Sequence, residues 1–230
     1  MKKVDIIRIE NNQRHQQKDH VIKEVSLKLK INSEEAFNLP CSGDHVNEML
    51  TGYLYTNGYI NTIGDIQSLD YHIETQTVSI NLEKSKSLLN GFNENTEIKL
   101  SASLIFEFME KFSRISEQFK MTGAVHTAAM ATQNGIQKYF DDISRHNAID
   151  KLIGYALLNN EPFGDKCLLL TCRMSSSIIS KVIKAGFPMV VSTSPPTDQA
   201  LEMAREKKIA MAGFVRSNRM NIYNGEESFL

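Results

Sequence analysis

Between Asp141 and Gly154 the chain sets two acids, an Arg, a His, an Asn and an Asp-Lys pair beside an apolar repeat, in the order Asp141-Asp142-Ile143-Ser144-Arg145-His146-Asn147-Ala148-Ile149-Asp150-Lys151. Ile149, Leu152, Ile153, Ala156 and Leu157 recur at helical spacing, which predicts a helix with one buried side. Ser144 or Asp142 can cap it by accepting a backbone N–H. Arg145 and His146 then fall in the first turn, where the helix dipole already presents positive charge. Cations at that end call for an anion. Either a bound ligand supplies it, or Asp141, Asp142 or Asp150 does.

Further polar clusters follow at regular intervals, and the elements around them say where they must lie. Cys167–Thr171, Pro188–Val191 and Ile209–Val215 read as apolar strands. Ser175-Ser176-Ser177 and Thr197 open helices between them, the first ending at Gly186. Strand, helix, strand, helix, strand with short connections means parallel strands and right-handed crossovers. In such sheets ligands bind beyond the carboxyl ends of the strands. Those ends deliver Cys172-Arg173-Met174-Ser175-Ser176, then Ser192-Thr193-Ser194-Pro195-Pro196-Thr197, then Arg216-Ser217-Asn218-Arg219. Hydroxyls, helix starts and guanidinium forks on one rim suit a phosphate-bearing or nucleotide-like ligand.

The remainder is read more coarsely. Val4–Ile9 and the alternating Val25–Ile31 are strands, with a polar loop over Asn11–Asp19. Ser42 or Asp44 opens a helix whose inner face holds Val46, Met49, Leu50, Tyr53 and Leu54. Leu69–Glu74 and Thr77–Leu82 form an antiparallel pair, and Glu83–Glu97 is a loop. One long helix runs from Leu100 with Leu104, Ile105, Phe108, Phe112, Ile115 and Phe119 on one stripe. Thr122–Met130 is rich in small residues, and Ile136–Phe140 is a strand. The change of rhythm gives a β-rich lobe with one helix over 1–99 and an α/β unit over 100–230, without a clear linker between them.

With a net charge of −1 there is no basic excess for nucleic acid. No apolar run is long enough to span a bilayer, and the first residues lack a signal-peptide core. Three cysteines without framework spacing argue against disulfides and for the cytoplasm. Cys167 and Cys172 face opposite sides of a strand and cannot share a metal. Cys41 and Cys167 read as structural. Cys172, at a strand's functional end, has two readings: a core residue, or a thiol activated by neighbouring cations. His126-Thr127-Ala128 lacks the Glu of a zinc deaminase, and no Cys-x-x-Cys exists, so zinc is not expected. The nucleophile elbow, the P-loop and the dinucleotide fingerprint are absent as well.

Thr122-Gly123-Ala124-Val125-His126-Thr127-Ala128-Ala129, the Arg145-His146-Asn147-Ala148-Ile149-Asp150-Lys151 run, Arg173-Met174-Ser175-Ser176 and Gly213-Phe214-Val215-Arg216-Ser217-Asn218-Arg219-Met220-Asn221 appear in that order. Together they resemble the formate dehydrogenase accessory sulfurtransferases of the FdhD/NarQ type, from Leu50 onward. The resemblance implies an α/β fold with a cytidine-deaminase-like sheet, flanking helices and a smaller N-terminal β-rich lobe. It also implies a cytoplasmic homodimer that takes sulfur from a cysteine desulfurase. That sulfur goes to the molybdenum bis(molybdopterin guanine dinucleotide) cofactor of formate dehydrogenase. The family's cofactor segment carries over onto Phe214, Val215, Arg216, Ser217, Asn218 and Arg219. Arg145, His146, Asn147, His126, Arg173, Ser175, Ser176 and Ser194 are the rim candidates that would join it.

One departure bears on activity. The family carries sulfur as a persulfide on a Cys-x-x-Cys loop, placed here between Lys84 and Glu97, a segment with no cysteine. Either Cys172 takes that role, or the chain is a cofactor- or nucleotide-binding delivery module that has lost sulfur transfer.

Overall fold

The computed structural model describes residues 1–83 and 98–230; the loop expected over Glu83–Glu97 lies outside them apart from Glu83. The chain opens with a hairpin of β1 (Lys2–Glu10) and β2 (Gln13–Val21), paired in unbroken register from Lys2↔Val21 to Glu10↔Gln13. The expected loop over 11–19 is therefore mostly strand. Asn11 and Asn12 hold φ of 50° and 61°, the left-handed pair that a tight hairpin turn requires. Both strands are largely exposed, so no apolar alternation marked the second one.

The next elements are β3 (Val25–Ile31), β4 (Glu34–Cys41), α1 (Val46–Thr56), β5 (Ile66–His72) and β6 (Thr77–Leu82). The strands order as β4-β3-β6-β5, with β3 and β6 parallel and the other pairs antiparallel. Val25, Leu27 and Leu29 turn onto Val46, Met49, Leu50 and Leu54 of α1, as the two periodicities required. β4 contains Pro40 and sits at the sheet edge, where a missing N–H is tolerated.

The larger unit contains α2 (Ala102–Ser113), α3 (Glu117–Thr122), β7 (His126–Thr132), β8 (Gly135–Asp142) and α4 (Arg145–Leu158). After them come β9 (Cys167–Leu170), α5 (Ser176–Ala185), β10 (Met189–Ser192), α6 (Asp198–Glu206), β11 (Ala210–Arg216) and β12 (Arg219–Asn224). The single helix expected from Leu100 is two helices. Ser116 breaks it by accepting the Phe119 N–H at 2.8 Å, a hydroxyl competing with the helix ladder. Phe119 consequently leaves the apolar stripe and is exposed.

The six strands order as β12-β11-β10-β9-β7-β8, with β9, β10 and β11 parallel as expected. Helices α4, α5 and α6 cover one face through Ile149, Leu152, Ile153, Ile178, Ile179 and Val182. On the other face α2 packs Ile105, Phe108, Met109 and Phe112. Burial on both faces is why β9 and β10 read as continuous apolar runs. Ile98 and Leu100 belong to the α2-side core, and Leu100 bridges to Phe229.

The small sheet is joined to the large one through a crossing of α1 over α4. A Cβ added at Gly52 would overlap the carbonyl oxygen of Asp150, and one at Gly154 would overlap that of Glu48. The two backbones touch, and only glycine permits that approach.

Candidate anion-binding cleft

The sheet topology gathers the polar loops as expected. β9, β10 and β11 end on one rim. Because β7 runs antiparallel to β9, His126 starts its strand on the same rim, opposite Asp142 at the end of β8. The first turn of α4 follows directly.

A row of hydroxyls crosses these strand ends. Thr193 Oγ1 donates to Thr171 O (3.3 Å), and Thr171 Oγ1 donates to Thr127 O (3.3 Å). Thr127 Oγ1 donates to Asp141 Oδ1 at 2.6 Å, and Ser116 Oγ donates to Asp141 Oδ2 at 2.7 Å. Above this row lies a cleft of about 1330 Å³, walled by α2, α3, the start of β7 and the β11–β12 turn. Typical pockets for small ligands run to roughly 300–1,000 Å³, so this one suits a large molecule.

Among the expected site residues, His126, Val215, Arg216, Ser217 and Asn218 line the cleft. Val215 contributes apolar wall from the core. β12, which the sequence reading omitted, turns the last loop into a hairpin with Arg216 opposite Arg219. Both guanidinium groups are exposed. Phe214 and Ser217 take φ of 53° and 48°, and the ladder is irregular between Gly213 and Arg216.

Other expected residues lie elsewhere. Arg173, Ser175, Ser176 and Ser194 stand on the rim but not along the cleft wall. Their two loops are tied to each other instead: Met174 N donates to Pro195 O at 3.1 Å and Thr197 N to Met174 O at 3.0 Å. Thr171 and Thr193 reach the cleft in their place. Their signal was available: Thr171 follows the buried apolar run Cys167–Leu170 directly, and Thr193 already stood in the rim loop expected after β10.

Cys172 needs correction as an activated thiol. It is 5 % exposed and belongs to the core beneath α4 and α5. Burial pushes its thiol up to about 11, against the opposing pull of Arg145. Cys167 packs in the core on the other face, as strand parity required.

The Arg145–Lys151 run divides by helical geometry. Asn147, Asp150 and Lys151 share a stripe toward α1. Asn147 is not free for a ligand: its Nδ2 donates to Pro40 O at 2.8 Å and to Asp142 Oδ1 at 3.0 Å. The fully buried Lys151 ammonium lies 2.8 Å from Asp142 Oδ2, 2.5 Å from Asp44 Oδ1 and 2.8 Å from Ser42 Oγ. Burial works against ionised Asp44, but hydrogen bonds from Lys151 and Ser42 outweigh it and hold it down at about 2. Ser42 and Asp44 thus serve this network, and α1 begins at His45 without a side-chain cap. Asp142 accepts the Ser144 N–H at 3.0 Å, and Ser144 caps α4 by position only. Asp150 is held by Lys181 at 2.7 Å and by Thr56 at 2.9 Å.

Arg145 and His146 are the part of the run left at the rim. The three acids that could have neutralised them are engaged with Lys151, Lys181 and hydroxyls. Arg145 lies in electrostatic reach of His126, His146 and Cys172. Its Nε is buried and has no acceptor among the described residues. Burial, then Lys181 and Arg145, pushes His146 down to about 4; burial, then Arg145, lowers His126 too. Both imidazoles are therefore neutral near pH 7, and the fixed positive charge is that of the arginines.

Fold and site define a class: a mixed α/β protein with a large cleft at its strand ends, lined by Arg114 and Arg216 together with Glu107 and Glu110. Residues 22–96 and 86–230 match the profile of the FdhD/NarQ family, and the chain belongs to that family. It is 32% identical over 236 residues to a Listeria innocua protein named sulfur carrier protein FdhD, covering 90% of each chain. It is 33% identical over 224 residues to the Methanocaldococcus jannaschii protein FdhD, covering 97% of this chain and 96% of that one. The fold is shared with a crystal structure of a formate dehydrogenase accessory protein from Desulfotalea psychrophila. That match has a TM-score of 0.87 and 23% identity, and covers 99% of this chain and 98% of the other. No described helix is long and apolar enough to cross a membrane.

Proposed function

We propose that this chain is a formate dehydrogenase accessory protein whose strand-end cleft holds the molybdenum bis(molybdopterin guanine dinucleotide) cofactor before it reaches the enzyme. The observation that carries this reading is the cleft itself. It has the volume for a large ligand, and its outer wall is a turn bearing Arg216, Ser217 and Asn218 with Arg219 alongside. A guanine dinucleotide presents diphosphates, and paired guanidinium forks match phosphate oxygens in geometry and charge. The threonine row and His126 supply neutral hydrogen-bonding groups along the floor. The second arginine along the cleft wall is Arg114, beside Glu110, while Arg145, with its unpartnered Nε, stands outside that lining.

In this role the protein works in the cytoplasm as a homodimer, with formate dehydrogenase downstream and a cysteine desulfurase upstream. Guanosine diphosphate is the practical probe, because it carries the guanine and the diphosphate without the metal. Calorimetry on the full chain should show binding that Arg216→Ala combined with Arg219→Ala abolishes. Equal affinity in the double variant would overturn the placement of the ligand at this turn.

A further inference from the structure

The outer edges of the four- and six-stranded sheets are all irregular. The β3–β4 ladder slips between Leu29 and Lys30, and β4 also holds Pro40. The β5–β6 ladder slips between Ile66 and Ser68, the β7–β8 ladder between Met130 and Ala131, and the β11–β12 ladder at two places. Bulges and prolines of this kind twist an edge away or remove a donor, so that it does not template another strand. The β1–β2 hairpin has neither device. Its ladder runs in unbroken register from end to end, and the nine residues of β1 include no proline or glycine. No strand among the described residues pairs with the outer side of β1, while β2 meets the body through α3. On this open strand Ile7 and Ile9 are 60 % and 65 % exposed. A long, apolar, unprotected edge is a site for strand pairing.

The turn fixes which backbone groups of β1 are free. A two-residue turn at Asn11-Asn12 closes on Glu10 and Gln13 as a hydrogen-bonded pair, and such pairs alternate along an antiparallel ladder. Arg8, Ile6, Val4 and Lys2 therefore bond β2, while Lys3, Asp5, Ile7 and Ile9 turn N–H and C=O outward. A second β1 meeting this edge about a two-fold axis must set odd residues against odd and even against even. Centred on Asp5, the pairing puts two aspartates together and Lys2 against Arg8. Centred on Ile7, it puts Ile6 against Arg8 and leaves Lys3 beyond the partner strand. Centred on Ile6, it puts Lys2 against Glu10 twice, Ile6 on Ile6, and all four outward residues in hydrogen-bonded pairs. Ile7 of one copy then lies diagonal to Ile7 of the other, within reach across a sheet.

We infer that the outer edge of β1 docks a second copy of this chain, antiparallel about a two-fold at Ile6, to make one four-stranded sheet. A two-stranded hairpin is marginal by itself, and added strands relieve that. The occupant is the same strand because β1 is self-complementary, with exposed Lys2 and Glu10 at its two ends. This gives the homodimer of the proposed role its surface. It does not depend on what the cleft holds, because neither strand of the hairpin contributes a residue to the cleft lining.

The test is sedimentation velocity on the full-length protein over about 1–100 μM. Wild type should pass from monomer to dimer in that range; a monomer throughout would overturn the inference. Ile7→Pro removes an outward N–H while leaving the bonds to β2, and should weaken the dimer at least about tenfold. Lys2→Glu and Glu10→Lys should each weaken it roughly threefold or more, since two unlike charge pairs become like pairs. An equimolar mixture of those two variants should recover wild-type association, because unlike charges face each other again. These surface changes keep the test decisive if the proline disturbs the hairpin. A dimer indifferent to all three variants, or a mixture no tighter than its components, places the interface elsewhere and sinks the assignment. A wild-type monomer that co-sediments with formate dehydrogenase, and loses it on Ile7→Pro, gives the edge to a foreign strand and sinks it too. Guanosine diphosphate calorimetry on Ile7→Pro should match wild type within about twofold. If no preparation binds nucleotide, the cofactor-holding role falls, while sedimentation still decides the β1 edge.

Discussion

Arg145 concentrates the residue-scale argument. A buried donor without an acceptor costs about 1–3 kcal/mol, and the Nε of Arg145 is such a donor. Replacing it by Met removes that cost along with the charge. We expect Arg145→Met to leave the unliganded melting temperature unchanged or raised, and to weaken guanosine diphosphate roughly tenfold, about 1.4 kcal/mol. A structural arginine would give the reverse pattern in paired melts and titrations. His146 is tested by pH. Its folded pKa, about 4, lies below the ordinary 6.5. Its contribution to stability is therefore present above pH 6.5 and lost as pH falls toward 4. The size is roughly 1 kcal/mol once its half-exposed position is discounted. Asp150 acts oppositely, because burial raises it to about 6, so the wild-type curve alone cannot isolate His146. The comparison with His146→Gln can: the variant should gain relative to wild type between pH 6.5 and 4 in thermal melts, and parallel curves would refute the assignment. At this scale the sequence placed Arg145 and His146 correctly in a first helical turn, because the apolar repeat after them is unambiguous. It left Cys172 open between rim and core, because one residue of strand parity decides between them, and the core reading holds. Thr171 takes the cleft side and Cys172 the packed side.

At the scale of elements, the α1–α4 crossing explains why so much of the chemistry-rich run is unavailable to a ligand. Asn147, Asp150, Lys151 and Gly154 form the stripe of α4 that meets α1. The glycine lets the helices touch, and the charged groups bond the loop and helix of the small lobe. Removing one partner of a buried ion pair strands the other, typically at about 3–5 kcal/mol. Lys151→Met should lose stability of that order in chemical denaturation, because Asp142 remains fully buried. Guanosine diphosphate affinity of the folded fraction should stay near wild type; a variant as stable as wild type would show the network to be dispensable. Gly154→Ala must push the helices apart, and should cost about 1–3 kcal/mol or more by the same assay. None of these long-range partners was legible. Ser42 and Asp44 read as helix caps, and nothing local says that they meet a lysine more than a hundred residues away. The parallel strands were legible because burial on both faces leaves apolar runs bounded by helix caps. β2, β4 and β12 were not. They are polar edge or hairpin strands, specified by turns with positive φ and by backbone pairing rather than by side-chain pattern.

Taken as a whole, the described residues form three cores, two of them sharing the large sheet and the third in the small lobe, and the β1–β2 hairpin contributes to none of these. That hairpin packs chiefly through β2 against α3, and its Ile7 and Ile9 are exposed. A two-stranded hairpin has marginal stability by itself, so it depends on the body more than the body depends on it. Helix α3 is the point at which that dependence could reach function, because Phe119 and the turn after it line the cleft. However, α3 has anchors of its own. Ser116 both caps it and bonds Asp141, and Gln118 donates to Asp44 at 3.2 Å. These tie it to β8 and to the small lobe without the hairpin. Deleting residues 1–21 should therefore leave one cooperative melt within about 4 °C of wild type, the shift expected for roughly 1 kcal/mol in a chain of this size. Guanosine diphosphate affinity should remain within about twofold. If the truncated protein melts cooperatively but loses the nucleotide, the hairpin holds α3 in its binding position, and the cleft must be counted as a product of both lobes and the arm together.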